Sequence, residues 1–138
     1  MKGGYLLTPF LAWLVAGSLK FLVNSIRSGR SAMGLIGYGG LPSNHSAIVS
    51  SMAMLIALQE GVGHPAFGVA LTLAFVVILD ANSLRGQIGK QARAINRLTE
   101  HDHTEPLRER IGHSRIEIAA GILVGVAVAA VVHRFMPA

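Results

Sequence analysis

Four apolar stretches constrain the fold of this chain more than any other feature. They cover residues 5–26, 43–59, 65–81 and 114–132, and each is close to the length of about 20 residues that a helix needs to cross a hydrocarbon core. Hydrophobic residues make up 51% of the 138 residues and charged residues only 14%, which is unusual for a soluble domain. The sequence therefore predicts an all-α fold over residues 1–138, a single integral membrane bundle of about four transmembrane helices.

The first stretch has an alternative interpretation as a signal peptide. Lys2 precedes the apolar run, and residues 15–18 are small enough for a cleavage site. The apolar run continues past Lys20, however, and becomes longer than the apolar region of a signal peptide. We therefore expect this stretch to remain as the first helix.

The positive charges predict the orientation. The net charge is +5, and basic residues concentrate in the connections after the first and third stretches, which lie on one side of a four-span bundle. The positive-inside rule makes that side cytoplasmic, and a basic surface facing anionic lipid suits this apolar chain better than nucleic acid. Within the cytoplasmic connection 82–113, apolar residues at helical spacing predict a short amphipathic helix on the membrane surface. These residues are Ile88, Ala92, Ile95 and Leu98.

Ionisable side chains from every predicted span converge at the cytoplasmic face. Because charged groups inside membrane helices are costly and usually face a cavity or a partner, this convergence predicts one functional site. Residues seven apart lie on one helix face, and so do residues four apart. The contributing residues are Lys20 and Arg27 in the first span, His45 in the second, Asp80 and Arg85 at the third, and His113 with Glu117 at the fourth.

The segment Gly-Gly-Leu-Pro-Ser-Asn-His-Ser-Ala at residues 39–47 leads into the second span. A glycine-rich turn before a helix N-terminus can bind an anion, and its imidazole can transfer a proton near neutral pH. The same pattern is also typical of an ordinary helix N-cap. The absence of cysteine excludes disulfides and thiolate metal sites, and we expect no metal and no cofactor, with His101 and His103 in a solvated loop.

These motifs together resemble the divergent PAP2 family, small membrane proteins related to acid phosphatases and vanadium haloperoxidases. Residues 39–47 are similar to the family segment GGMPSSHSA and to the PSGH motif of the superfamily. The other matching features are Asp80-x-x-x-x-Arg85, Gly89-x-Gln91-Ala92 with Asn96, and Gly112-His113-Ser114-x-x-Glu117. The resemblance covers nearly the whole chain.

The resemblance implies a lipid phosphate phosphatase of the bacterial inner membrane with a PAP2-like core and a phosphohistidine intermediate. His113 would be the nucleophile, Glu117 would orient it, and His45 would protonate the leaving group. The implied phosphate ligands are Lys20, Arg27, Ser43, Asn44 and Arg85, supported by Asp80, Ser46 and Gly40. The implied substrates are phosphatidylglycerol phosphate, phosphatidate or a polyprenyl phosphate.

The chain departs from the superfamily pattern at several points, among them Glu117 in place of an aspartate and a missing Ser-Arg pair before His113. In the first superfamily motif, which Lys20 and Arg27 match, Ser28 replaces a proline. In the third motif the arginine lies six residues before the histidine, whereas Arg108 lies five residues before His113. Either Arg85 or Arg108 is therefore the third phosphate cation. Four helices are also fewer than the six of the superfamily, which favours a homodimer. Two other functions stay open: a non-enzymatic protein that binds or transports anionic lipids, and halide oxidation with bound vanadate.

Overall fold

The computed structural model describes residues 3–28, 40–99, 105–109 and 111–136. The regular secondary structure in these ranges is entirely helical. The helices are α1 (Gly3–Ser28), α2 (Asn44–Gln59), α3 (Pro65–Leu79), a π-helical turn (Asp80–Leu84), α4 (Arg85–Leu98) and α5 (Arg115–Phe135).

Helix α2 is the centre of the bundle and packs against α1, α3 and α5. Ser43, its N-cap, lies beside the start of α5, and Leu55 near its other end packs with Ala129 and Val132. Helices α2 and α5 therefore run in the same direction. Helix α1 runs in the opposite direction, since Tyr5 near its start donates a hydrogen bond to Glu60, just after the end of α2.

Two glycines let α2 and α5 approach each other closely. A Cβ atom added at Gly125 would collide with the carbonyl of Ala47 and the hydroxyl of Ser50, and one added at Gly121 would collide with the carbonyl of Ser43. Small residues allow close packing of helices in a membrane, where the surrounding lipid provides no hydrophobic driving force for helix association. The resulting contact includes a 2.9 Å hydrogen bond from the backbone N–H of Ser43 to the carbonyl of Glu117.

The helix that begins in the third apolar stretch continues past residue 81, where the apolar residues end. Helix α3 continues through the π-helical turn into α4, so that Pro65–Leu98 forms one helical segment of 34 residues. Residues 79–85 contain neither proline nor glycine, and the hydrogen bond from the N–H of Arg85 to the carbonyl of Asp80 continues the helix through the turn. The predicted amphipathic segment is thus a direct extension of α3.

Within the described ranges, three helical segments are long and apolar enough to cross a membrane: Gly4–Ile26, Pro65–Leu98 and Arg115–Phe135. Their outer faces carry exposed apolar side chains such as Leu6, Phe75 and Leu123. Helix α2 has 16 residues, which corresponds to about 24 Å at 1.5 Å per residue and is less than the ~30 Å hydrocarbon core. A fourth span through α2 and a membrane-surface position for α4 stay predictions.

Candidate active site

One end of the bundle collects polar side chains from α1, α2, the π-helical turn and α5. This grouping follows from the helix directions, because α1 and α3 end at the level where α2 and α5 begin. The hydrogen bond between the N–H of Ser43 and the carbonyl of Glu117 fixes the starts of α2 and α5 relative to each other. The predicted residues Lys20, His45, Arg85 and His113 lie near one another at this end, since their charges interact.

His113 and Glu117 form the least exposed ionisable pair of the candidate site. The Nδ1 atom of His113 lies 3.3 Å from Oε2 of Glu117, and the two side chains are 8% and 16% exposed. The same carboxylate oxygen accepts a 2.8 Å hydrogen bond from the N–H of Ser114, whose hydroxyl accepts from the N–H of Glu117. This capping box holds the carboxylate in place, and Nε2 is the ring nitrogen of His113 that does not contact Glu117.

Burial lowers the pKa of His113, because a charged imidazolium loses solvation there. The hydrogen bond to Glu117 acts in the opposite direction, while the nearby charges of Lys20 and Arg85 favour the neutral ring. Since burial is the largest of these effects, the ring releases its proton at a lower pH than an exposed histidine. A neutral imidazole with one nitrogen held by a carboxylate is the form required of a nucleophile.

His45 faces His113 across the candidate site. The two ring centroids are 6.3 Å apart and the ring planes are inclined by 54°. His45 is an exposed residue in the first turn of α2, whereas the side chain of His113 is only 8% exposed. The two histidines thus have different environments, which allows one to be a buried nucleophile and the other a solvent-accessible proton carrier.

Asp80 and Arg85 form an ion pair at the π-helical turn. The Nε atom of Arg85 donates to Oδ2 of Asp80 at 3.2 Å, and both side chains are 36% exposed. Because this bond uses Nε, the terminal nitrogens of the guanidinium can still bind an anion. Lys20, on α1, is partly buried and interacts electrostatically with Glu117.

The residues of the glycine-rich turn have mainly structural contacts. Ser43 is fully buried, and its hydroxyl caps α2 by accepting from the N–H and the hydroxyl of Ser46. Asn44 follows, and its buried Oδ1 has no hydrogen-bond partner among the described residues. Gly40 packs against Asn24, whose Oδ1 would lie 3.1 Å from a Cβ atom added there.

Less is described of two other predicted cations, Arg27 and Arg108. The backbone of Arg27 belongs to the last turn of α1, but its side chain lies outside the described residues, as do His101 and His103. Arg108 is exposed on the segment 105–109. The charge of Arg85 acts on both His45 and His113.

The segment before His113, residues 105–109 and 111–113, lies along α4 and is called the strap below. The amide of Asn96 donates to the carbonyl of Leu107 at 2.8 Å and accepts from its N–H at 2.7 Å. Asn96 and Arg93 also donate to the carboxylate of Glu109, and these hydrogen bonds lower the pKa of Glu109. Helix α4 thus binds the strap, and the strap leads the chain back to the candidate site.

Comparisons with known proteins identify the family of the chain. The sequence profile described as "Divergent PAP2 family" matches residues 1–128. The chain belongs to the divergent PAP2 family. The family predicted from the motifs is therefore confirmed. The uncharacterized membrane protein YuiD of Bacillus subtilis (strain 168) is 29% identical, with 94% of each chain covered. No solved structure matches the chain.

Several contacts at the candidate site of this divergent PAP2 protein were not predicted from its sequence. Asn24 lies four residues after Lys20, on the same face of α1, and that spacing is a usable signal. The Ser-x-x-Glu pattern of Ser114 is a known signature of a capping box. Ala81, whose carbonyl contacts His113, has no signal in the sequence because a backbone atom makes the contact.

Proposed function

We propose that this divergent PAP2 protein hydrolyses a lipid phosphate monoester through a phosphohistidine intermediate. The observation that carries the proposal is the pair His113–Glu117, with Nδ1 held 3.3 Å from a capped carboxylate and a second histidine ring at 6.3 Å. An oriented imidazole facing another imidazole suits a nucleophile and a general acid. A structural histidine pair would need no cluster of cations beside it.

The proposed reaction has two displacements. In the first, Nε2 of His113 attacks phosphorus, the P–O bond to the lipid breaks, and His45 gives its proton to the departing alkoxide. In the second, His45 takes a proton from water, the resulting oxygen nucleophile attacks phosphorus, and the P–N bond breaks to release inorganic phosphate. Glu117 stabilises the positive charge that His113 carries in the intermediate, as a triad carboxylate does.

The phosphate oxygens are proposed to bind to Lys20, Arg85 and Arg27, which neutralise the charge of the transferring group. The N-terminus of α2 adds the amide of Asn44 and backbone N–H groups, and the buried hydroxyl of Ser43 holds this N-terminus in place as its cap. Asp80 supports Arg85 through their ion pair, Ser46 donates to the hydroxyl of Ser43, and Gly40 allows the turn to pack against Asn24. Because the cations supply the charge that magnesium provides in other enzymes, the proposed reaction is independent of metal.

A lipid is the substrate class that we propose, because the candidate site lies at the ends of three helices with apolar outer faces. A headgroup can reach this end while its tail stays in the bilayer. The candidates are phosphatidylglycerol phosphate, phosphatidate and a polyprenyl phosphate. The positive-inside rule favours the cytoplasmic face of the bacterial inner membrane for the site.

The test is phosphate release by the detergent-purified protein from each of these lipids, with EDTA present. We expect release from at least one lipid, and a rapid alkaline quench with ³²P-labelled substrate should trap protein-bound phosphate that is stable in alkali and labile in acid. A folded wild type that binds the lipid but releases no phosphate would contradict the proposal. It would favour the alternative of an anionic-lipid binding or transport protein.

The pH dependence is the next prediction. Because the pKa of His113 is lowered, its neutral form persists into more acidic solution, so the acidic limb of kcat/KM should have its midpoint below the ordinary value of 6.5. The Glu117→Gln variant lacks the carboxylate that raises the pKa of His113. The acidic limb of its kcat/KM profile should therefore have its midpoint at a lower pH than in wild type, and its rate should be lower. Rates measured from about pH 4.5 to 8.5 check this. An acidic limb above 6.5 in the wild type would contradict it.

A further inference from the structure

The π-helical turn changes the hydrogen bonding of two carbonyl groups next to the candidate site. In a regular α-helix, the N–H of Arg85 would bond to the carbonyl four residues earlier, that of Ala81. Here it bonds to the carbonyl of Asp80, five residues earlier. The turn therefore releases the carbonyl of Ala81 from the helix.

The released carbonyl accepts a hydrogen bond from the backbone N–H of His113 at 3.1 Å. Ala81 is only 1% exposed, so water has little access to this carbonyl. A buried carbonyl without a partner is destabilising, and the contact with His113 removes that cost. The π-helical turn and the segment carrying His113 thus stabilise each other.

The contact depends on Gly112, which precedes His113 and has a φ of +106°. A Cβ atom added at Gly112 would lie 3.3 Å from the N–H nitrogen of Gly86 and 3.4 Å from the carbonyl oxygen of Ala81. A glycine fits both the backbone conformation and the narrow space. The end of the strap therefore packs directly against the π-helical turn.

The same turn brings Asp80 and Arg85 together. Side chains three or four residues apart are neighbours on a regular helix, whereas side chains five residues apart are not. The ion pair of Asp80 and Arg85 spans five residues at 3.2 Å, because the extra residue of the turn shifts Arg85 onto the face of Asp80. The π-helical turn thus determines the positions of both the guanidinium of Arg85 and the backbone of His113.

We propose that the π-helical turn positions the nucleophilic histidine, and that Ala81 is a positioning residue which acts through its carbonyl oxygen. This inference rests on the proposed phosphatase activity. π-Helical turns inside α-helices are rare and occur mostly as single turns, frequently at functional sites. In this protein the carbonyl of Ala81 gives up its hydrogen bond within the helix and accepts one from the backbone N–H of His113, which carries the reacting imidazole.

Deletion of Ser83 tests the proposal. Without Ser83, Gly86 becomes the fourth residue after Ala81, so its N–H takes the carbonyl that now accepts from His113. Arg85 becomes the fourth residue after Asp80, where an ion pair is still possible. We expect kcat to fall about 100-fold, the effect of a displacement of about 1 Å in a reacting group, with little change in KM.

The matched control is Ser83→Ala, which keeps the length of the turn. It removes only the exposed hydroxyl that donates to the carbonyl of Leu79, and kcat should stay within about twofold of wild type because the turn is intact. Hydrogen exchange of the His113 amide gives a readout that does not depend on activity. It should be at least about tenfold faster in the deletion variant than in the control, because the amide has lost its buried partner.

The outcomes separate the two proposals. Faster exchange together with a lower kcat supports the positioning role, whereas an unchanged amide or an unchanged kcat overturns it. A wild type without phosphatase activity overturns the proposed function, and the positioning role with it, even if the amide responds to the deletion. If the deletion variant does not fold, Gly112→Ala takes its place, because a Cβ atom there pushes the strap away from the carbonyl of Ala81 while the helix stays unchanged.

Discussion

The His113→Ala variant is expected to release phosphate from the lipid substrate at least about 1,000-fold more slowly than wild type, because it lacks the nucleophile of the proposed first displacement. Binding of the lipid should persist, since Lys20 and Arg85 do not depend on the imidazole for their charge. Phosphate release and binding of the same lipid, both measured in detergent, check this. The loss of catalysis without a loss of binding is what distinguishes a nucleophile from a ligand-binding residue.

The matched control is His64→Asn, at the opposite end of the bundle. The Nδ1 atom of His64 caps α3 by accepting from the N–H of Ala66 at 3.2 Å, and asparagine is a good N-cap residue. This variant should keep the rate of wild type. A His113→Ala variant that retains phosphate release within about tenfold of wild type would exclude His113 as the nucleophile.

The Gly125→Leu variant is expected to lose most of its folded population, with a cost of about 3 kcal/mol or more for the inserted side chain. A side chain at position 125 would meet the carbonyl of Ala47, the hydroxyl of Ser50 and the N–H nitrogen of Ser51, the last at 2.9 Å from its Cβ atom. Helices α2 and α5 would have to separate. Thermal unfolding and size-exclusion chromatography in detergent measure the effect.

The control for this effect is Ala127→Leu, on the exposed side of α5. It adds a side chain of the same kind to the same helix, on the face that points away from α2, and should unfold at nearly the temperature of wild type. Equal unfolding temperatures for the two variants would mean that the close approach of α2 and α5 contributes little stability. Because this contact also holds Ser43 against Glu117, any Gly125→Leu protein that remains folded should have lower activity.

The helical class and the family follow from local patterns in the sequence. Apolar stretches of sufficient length predict membrane helices, because the bilayer leaves few other backbone structures. Successive helices of alternating direction then bring Lys20, His45 and His113 to one end without any knowledge of packing. The spacing of His113 and Glu117 likewise predicts one helix face, and the structure joins these two side chains at 3.3 Å.

The tertiary structure decided the features that depend on contacts between distant segments. The contact of Gly121 and Gly125 with α2 joins residues more than 70 positions apart, and no local periodicity encodes such a pairing. The continuation of α3 into α4 depends on the π-helical turn, whose released carbonyl is satisfied by His113. The strap is held by Asn96, whose amide bonds to the backbone of Leu107.

The sequence by itself thus determined which chemical groups this protein carries and at which end of the bundle they lie. Hydrophobic length and helical periodicity act over a few residues, and both can be evaluated along the chain. Only the tertiary structure decided how closely α2 and α5 approach and where the N–H of His113 finds its acceptor. Those outcomes depend on steric fit and on backbone hydrogen bonds, which are settled when distant segments meet and exclude water.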